Sequence, residues 1–328
     1  MKKTLQRPVM VSRRQMLGLS ALGGAAVLGL SACGEKPVPH PAEDAESSDA
    51  PEPAKMDVKA YDKLIASGAV ADDATIAASA WASKIKDAGK MRLGIVQTSM
   101  LFSLLDEKDG RLRGFDAGIS ELLCRYILGD EQKYEATQVT SDTRESVLKN
   151  DQVDAVFATY SITEDRKKII SFAGPYFGTQ QSVLVMADNE DIESYKDLDG
   201  KLVAVQSGST GPSIMEELVP GAKLQEFKTD EEARSALSQR RADAYVIDTN
   251  MLMSDMIKQP GKYKLAGDPF GPEDLYGIGL PKDSDGVQFV NDFLAKIEQD
   301  GTWEELWRLC IGDRAGVDSA PEPPAIGA

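Results

Sequence analysis

Hydrophobic positions in this chain fall into two cycles of short apolar runs separated by amphipathic stretches. Ahead of them, residues 72–90 read as a helix, with Thr75 as candidate cap and Ile76, Ala80, Ile85 and Ala88 as an apolar stripe. The first cycle predicts strands at 92–96, 134–139, 154–158 and 169–172, with helices at 116–127 and 144–150. After the turn Asp197-Leu198-Asp199-Gly200, the second predicts strands at 202–205, 223–227 and 243–247 and helices at 212–218 and 230–240. A returning strand at 276–280 and helices at 286–299 and 302–310 complete the body. Such alternation means an α/β fold on largely parallel sheets. The cycles also echo each other, since Gln152-Val153-Asp154-Ala155 and Arg241-Ala242-Asp243-Ala244 each open an apolar strand. Ligands of open α/β sheets bind outside the carboxyl ends of the strands, so two facing lobes place a ligand in the cleft between them.

A different pattern precedes the body. Residues 1–32 contain Lys2, Lys3, Arg7, Arg13 and Arg14 and no acidic residue. Residues 17–30 are apolar but rich in Gly and Ala, too short for a stable transmembrane helix and suited to the h-region of a signal peptide. Leu30-Ser31-Ala32-Cys33 then looks like a bacterial lipobox, with Cys33 as the lipidated residue. Ser12-Arg13-Arg14-Gln15-Met16-Leu17 resembles a twin-arginine export signal, and a Sec signal with adjacent arginines stays open. Residues 34–55 are Pro, Ala, Glu, Asp and Ser with almost nothing to bury, a flexible tether. The expected location is the outer face of the cell membrane.

Charge and composition narrow the chemistry. The chain carries 37 Lys and Arg against 53 Asp and Glu, a net charge of −16 that becomes −21 without the leader. A phosphate backbone needs clustered cations, so nucleic acid is excluded as a partner. The one histidine is His40, in the Pro-rich tether. The body therefore has no Ser-His-Asp triad, Cys-His dyad or His-ligated metal, and no cofactor is expected. Cys124 and Cys310 fall in apolar helical runs of an exported body; whether they pair or stay as small buried residues is open.

Three polar sites stand at strand ends. Ala158-Thr159-Tyr160-Ser161-Ile162-Thr163-Glu164-Asp165-Arg166 leaves a strand and opens a helix that Thr163 can cap. Arg166 there either forks a carboxylate, with Ser161 as a further donor, or joins Lys167 and Lys168 on a solvated face. Gln206-Ser207-Gly208-Ser209-Thr210-Gly211-Pro212 is either an anion-binding strand–helix loop or a plain tight turn, and it lacks the ending of a Walker loop. Asp248 ends a strand, where it can accept from an ammonium group or cap the next helix. An anion clamp plus a cation acceptor fits a zwitterion.

An ordered series of motifs carries a family resemblance: Gly114-Phe115-Asp116, Ser161 through Lys168, Ser171-Phe172-Ala173-Gly174-Pro175-Tyr176-Phe177, Asp197 through Lys201, Ala242-Asp243-Ala244, Tyr276-Gly277-Ile278-Gly279 and Asp300-Gly301-Thr302-Trp303. From about Met91 to Gly312 the chain resembles the family 3 solute-binding proteins, which capture polar amino acids for ABC importers. Within the family it looks most like lipid-anchored glutamate-binding proteins. The resemblance implies the type II periplasmic-binding-protein fold, a monomer docking on a membrane permease, and no catalysis. It implies that Arg166 and Ser161 hold the α-carboxylate with Ser209 and Thr210, and that Asp248 receives the α-ammonium. Phe102 would supply a wall, and Ser141 and Arg144 would approach the ligand side chain. Glutamate is the favoured ligand, with glutamine, aspartate or another polar amino acid open. A dehydratase-type enzyme and an amino-acid sensor on the same fold are the rivals from other classes. The expected division is a signal peptide at 1–32, lipidated Cys and linker at 33–73, lobe one at 74–182 and 276–313, lobe two at 183–275, and a Pro-rich tail at 314–328. Hinges are expected near 181–185 and 272–276.

Overall fold

The computed structural model describes residues 55–327. The export signal, Cys33, His40 and most of the tether lie outside the described residues. The strands are β1 (Met91–Ile95), β2 (Thr98–Ser99), β3 (Ser103–Leu105), β4 (Leu112–Arg113), β5 (Tyr134–Gln138), β6 (Ala155–Phe157), β7 (Ser171–Met186), β8 (Leu202–Gln206), β9 (Lys223–Phe227), β10 (Ala244–Asp248), β11 (Tyr263–Leu265) and β12 (Phe270–Leu280). β2, β3 and β4 form a small antiparallel sheet. The others make one sheet in the order β5-β1-β6-β12-β7-β10-β8-β9, with β11 on β7.

The register of that sheet explains two lobes. β5, β1 and β6 are mutually parallel, and so are β10, β8 and β9. Between these blocks run β7 and β12, antiparallel to each other. β7 has 16 residues, and at roughly 3.3 Å per residue it extends about 50 Å, enough to serve both blocks. It meets β12 from Ser171↔Leu280 to Gln181↔Phe270 and meets β10 from Gln181 to Leu184. Segments 181–185 and 272–276 therefore lie inside the crossing pair. The β12 register shifts between Phe270 and Asp274 and again between Tyr276 and Ile278.

The inner strands of each parallel block are apolar on both faces, whereas the edge strands β5 and β9 are half-buried or exposed. Val203, Ala204 and Val205 of β8, and Ala244, Tyr245, Val246 and Ile247 of β10, are all buried, as expected of strands covered by helices on either side. In lobe one, a core around Phe115, Leu123, Tyr176, Phe293 and Trp303 packs on one face of the sheet. Val139, Leu148, Val156 and Tyr160 pack in a separate cluster.

Two expectations need correction. The helix expected over 72–90 is two helices, Asp73–Ala77 capped by Asp72 and Ala80–Ala88 capped by Ser79. The Ser79 hydroxyl accepts from Ala82 N and restarts the chain at a new angle. The segment assigned to the linker also folds from residue 58: helix Val58–Ala66 buries Tyr61 and Ile65, and the Tyr61 hydroxyl donates to Glu121 at 3.1 Å. Its apolar stripe is brief, so burial against lobe one, rather than length or propensity, holds it. Cys124 and Cys310 are both free and buried, so the pairing left open by the sequence is not made. The Cys124 thiol instead donates to the Asp130 carbonyl at 3.4 Å.

Candidate ligand site

The cavity of interest lies between the lobes, where the strands of both blocks end. Val96 follows β1, Gln138 ends β5, and Ala158 and Thr159 follow β6; opposite them, Gln206 ends β8, Thr229 and Asp230 follow β9, and Met251 follows β10. Phe102, Asp116, Ser141, Ser254 and Lys258 complete most of the lining. Its water-accessible volume is about 50 Å³, room for about four waters.

Contacts across the cleft are direct. Arg166 Nη2 donates to the Gly208 carbonyl at 2.7 Å, and Arg144 Nη2 to the same oxygen at 3.4 Å. Ser207 Oγ donates to Asp142 at 2.9 Å, and Lys258 Nζ to the Thr98 carbonyl at 3.4 Å. Gly208 sits at φ 69°, and a Cβ there would fall 2.6 Å from Asp142 Oδ1. That Cβ would also fall 2.9 Å from the Ser141 carbonyl carbon and 3.0 Å from the Asp142 nitrogen, and this approach of two backbones requires glycine.

Of the residues singled out from sequence, Phe102 and Ser141 line the cavity. Arg166 starts in the helix Glu164–Lys167, whose cap Thr163 accepts from the Arg166 amide at 3.3 Å. Its guanidinium is buried; besides Gly208 it reaches the Ser161 carbonyl at 2.7 Å and lies 3.7 Å from Glu145. Ser161 thus contributes its backbone to Arg166. Arg144 is stacked 4.0 Å from the Tyr160 ring centroid and donates to the Ala158 carbonyl at 2.9 Å, and its Nε has no partner. Burial, and then the neighbouring Arg166 charge, push its guanidinium down to about 10.

Asp248, Ser209 and Thr210 stand on the lobe-two side, outside the lining. Asp248 accepts from Gln181 of β7 and from the Tyr276 hydroxyl of β12 at 2.5 Å. Its side chain does not cap the helix Thr249–Lys258 that follows. Burial, with Asp274 nearby, raises its carboxyl to about 7. Thr210 Oγ1 donates to Asp274 at 2.6 Å, and Ser209 Oγ to the Gln206 carbonyl at 2.7 Å. The structure therefore brings Asp248 together with the two crossing strands, and Arg166 together with Gly208.

Other lining groups escaped notice as site residues. Asp116, in the first turn of helix Phe115–Leu128, accepts from the Thr159 amide at 2.8 Å and the Tyr176 hydroxyl at 2.7 Å. Burial raises its carboxyl to about 6. The Thr159 it holds has φ 43°, a left-handed conformation uncommon for a non-glycine residue. Its signal in the sequence was the position two residues after β6. Asp230, Ser254 and Lys258 gave no signal of their own, because a solvated helix face has the same composition.

A cleft between two α/β lobes joined by long crossing strands is the architecture of the two-lobed periplasmic binding proteins. Specifically, this chain belongs to the bacterial extracellular solute-binding proteins, family 3, which it matches over residues 91–309. It is 36% identical over 229 residues to the ABC transporter glutamine-binding protein of Bacillus subtilis, covering 69% of this chain and 83% of that one. It is 33% identical over 224 residues to a glutamate-binding protein of Corynebacterium glutamicum, covering 65% and 76%. A solved structure of an ancestral arginine-binding protein bound to glutamine superposes with TM-score 0.62 at 32% identity, over 68% of this chain and 98% of that one. The chain is thus an amino acid solute-binding protein of an ABC transporter. No described helix is long and apolar enough to cross a membrane.

Proposed function

We propose that the protein is a lipoprotein anchored through Cys33 at the outer face of the membrane, where it captures glutamate as a monomer and hands it to a permease without chemical change. The observation carrying the ligand class is the convergence of Arg144 and Arg166 on the single carbonyl of Gly208. Two guanidinium groups on one neutral oxygen are poorly matched, and a carboxylate offers charge and two acceptor atoms. In this reading the ligand's α-carboxylate takes the Gly208 oxygen's place on Arg166, with Ser161, Ser209 and Thr210 around it. Asp248 receives the α-ammonium, trading one of its present donors for a charge. Closure along β7 and β12 then excludes water and strengthens each contact.

A second reading is glutamine. It is favoured by the glutamine-binding relative and by the Asp230 carboxylate in the lining, which repels an anionic side chain. Calorimetric titration of the full chain in detergent with glutamate, glutamine, aspartate and arginine separates the readings. A glutamate dissociation constant weaker than that of glutamine would replace the first by the second, and heat from none of the panel would reject both. Anchoring is tested by metabolic labelling with a radioactive fatty acid, which should mark the wild type and not Cys33→Ala.

A further inference from the structure

We infer that Lys258 is the specificity-determining cation for the ligand side chain, an inference that rests on the amino acid receptor reading above. Helix Thr249–Lys258 begins at Asp248 and runs along lobe two. Met251, Ser254 and Lys258 all line the cavity, and their spacing of three and four residues puts them on one helix face. Helical side chains lean toward the N-terminus of their helix, so the Lys258 ammonium is carried back along that face toward the Asp248 end. A zwitterion held at that end extends its side chain toward this ammonium.

Among the charged groups lining the cavity, Lys258 is the cation, and Asp116 and Asp230 are the anions. Both carboxylates already have donors within the protein. Asp116 has Thr159 and Tyr176, and Asp230 has the Tyr245 hydroxyl at 2.9 Å and Arg234 at 3.8 Å. Lys258 has the Asp230 and Asp255 carboxylates near enough on lobe two to feel its charge, but its hydrogen bond is across the cleft to the Thr98 carbonyl at 3.4 Å, beyond the usual range for such a bond. An acidic side chain entering between the lobes offers this ammonium a shorter, charge-assisted bond. Arg144, the cation expected from sequence to meet the side chain, is instead held by the Ala158 carbonyl at 2.9 Å and stacked on the Tyr160 ring.

The test is calorimetric titration of the full chain in detergent with glutamate and, separately, glutamine, for wild type, Lys258→Met and Lys258→Arg. Lys258 is partly exposed, so folding should survive, and unchanged melting temperatures verify this. The expected result is a glutamate dissociation constant raised roughly 30-fold or more in Lys258→Met, as for loss of a partly desolvated charge pair. Glutamine should change by less than about threefold, and Lys258→Arg should restore most of the preference for glutamate. Equal weakening of both ligands would make Lys258 only a bridge between lobes and overturn the inference. So would no change in either, or a wild type preferring glutamine. A wild type binding neither ligand would overturn the receptor reading and this inference with it.

Discussion

Replacing Arg166 by alanine removes a buried guanidinium whose acceptors are backbone oxygens from both lobes, Ser161 on its own side and Gly208 opposite, each at 2.7 Å. If a ligand carboxylate takes the fork, the variant loses hydrogen bonds from a charged donor, each contributing about 1.5–3 kcal/mol. Two of them amount to about 3–6 kcal/mol, or roughly 150- to 25,000-fold in dissociation constant. Part of any change in melting temperature will reflect the lost Gly208 bridge, so stability and binding must be read separately. Arg166→Lys supplies the control: it keeps the charge and loses the planar fork, and should fall between wild type and alanine. The assay is calorimetric titration with glutamate at pH 8, where the ligand carboxylates are ionised. A dissociation constant for Arg166→Ala within about threefold of wild type would refute the assignment of this residue to the carboxylate, since truncating one partner of a buried hydrogen-bonded charge pair costs about 2–5 kcal/mol, largely by leaving the other charge unpaired.

Asp248, with its carboxyl raised to about 7 by burial and by Asp274, should lose its proton when an ammonium group docks. Near pH 7, binding is therefore expected to release up to about half a proton, seen as binding heats that vary with buffer ionisation enthalpy and do not vary in Asp248→Asn. Gly208→Ala places a Cβ 2.6 Å from Asp142 Oδ1 at a left-handed φ of 69°. The left-handed strain should cost about 1–2 kcal/mol of folding stability, seen as a lower melting temperature, and the clash across the cleft should in addition weaken binding by roughly 5- to 30-fold. Glu121, held by Tyr61 and Arg111, is pushed by burial from 4.5 to about 7. A carboxyl raised on folding contributes stability that is full below its unfolded value and lost as pH rises through its folded one. Between pH 4.5 and 8 the wild type should thus lose about 3 kcal/mol relative to Glu121→Gln, measurable by denaturant titration at each pH.

Much of the architecture was readable along the chain because its causes are local. Strands buried on both faces must be apolar throughout, as in Val203 to Val205 and Tyr245 to Ile247, and helices must show a stripe. Thr163 as a cap and Pro212 in a first turn were legible for the same reason. Helix Val58–Ala66 was not, since the burial of Tyr61 beside Glu121 depends on residues far away in sequence. Nor was the break at Ser79, because an apolar stripe continues past a hydroxyl cap without interruption.

The site divides along the same line. Residue type and strand-end position by themselves determined that Arg166, the loop after β8 and Asp248 stand at the mouths of the sheets. Only the folded pair of lobes decided what each side chain meets: Arg144 and Arg166 on one carbonyl, Asp248 between Gln181 and Tyr276, Lys258 across to Thr98. Periodicity reports which face of an element is buried within its own lobe. A cleft is lined by polar faces that look solvated until a second lobe closes over them, so their partners follow from the crossing geometry of β7 and β12.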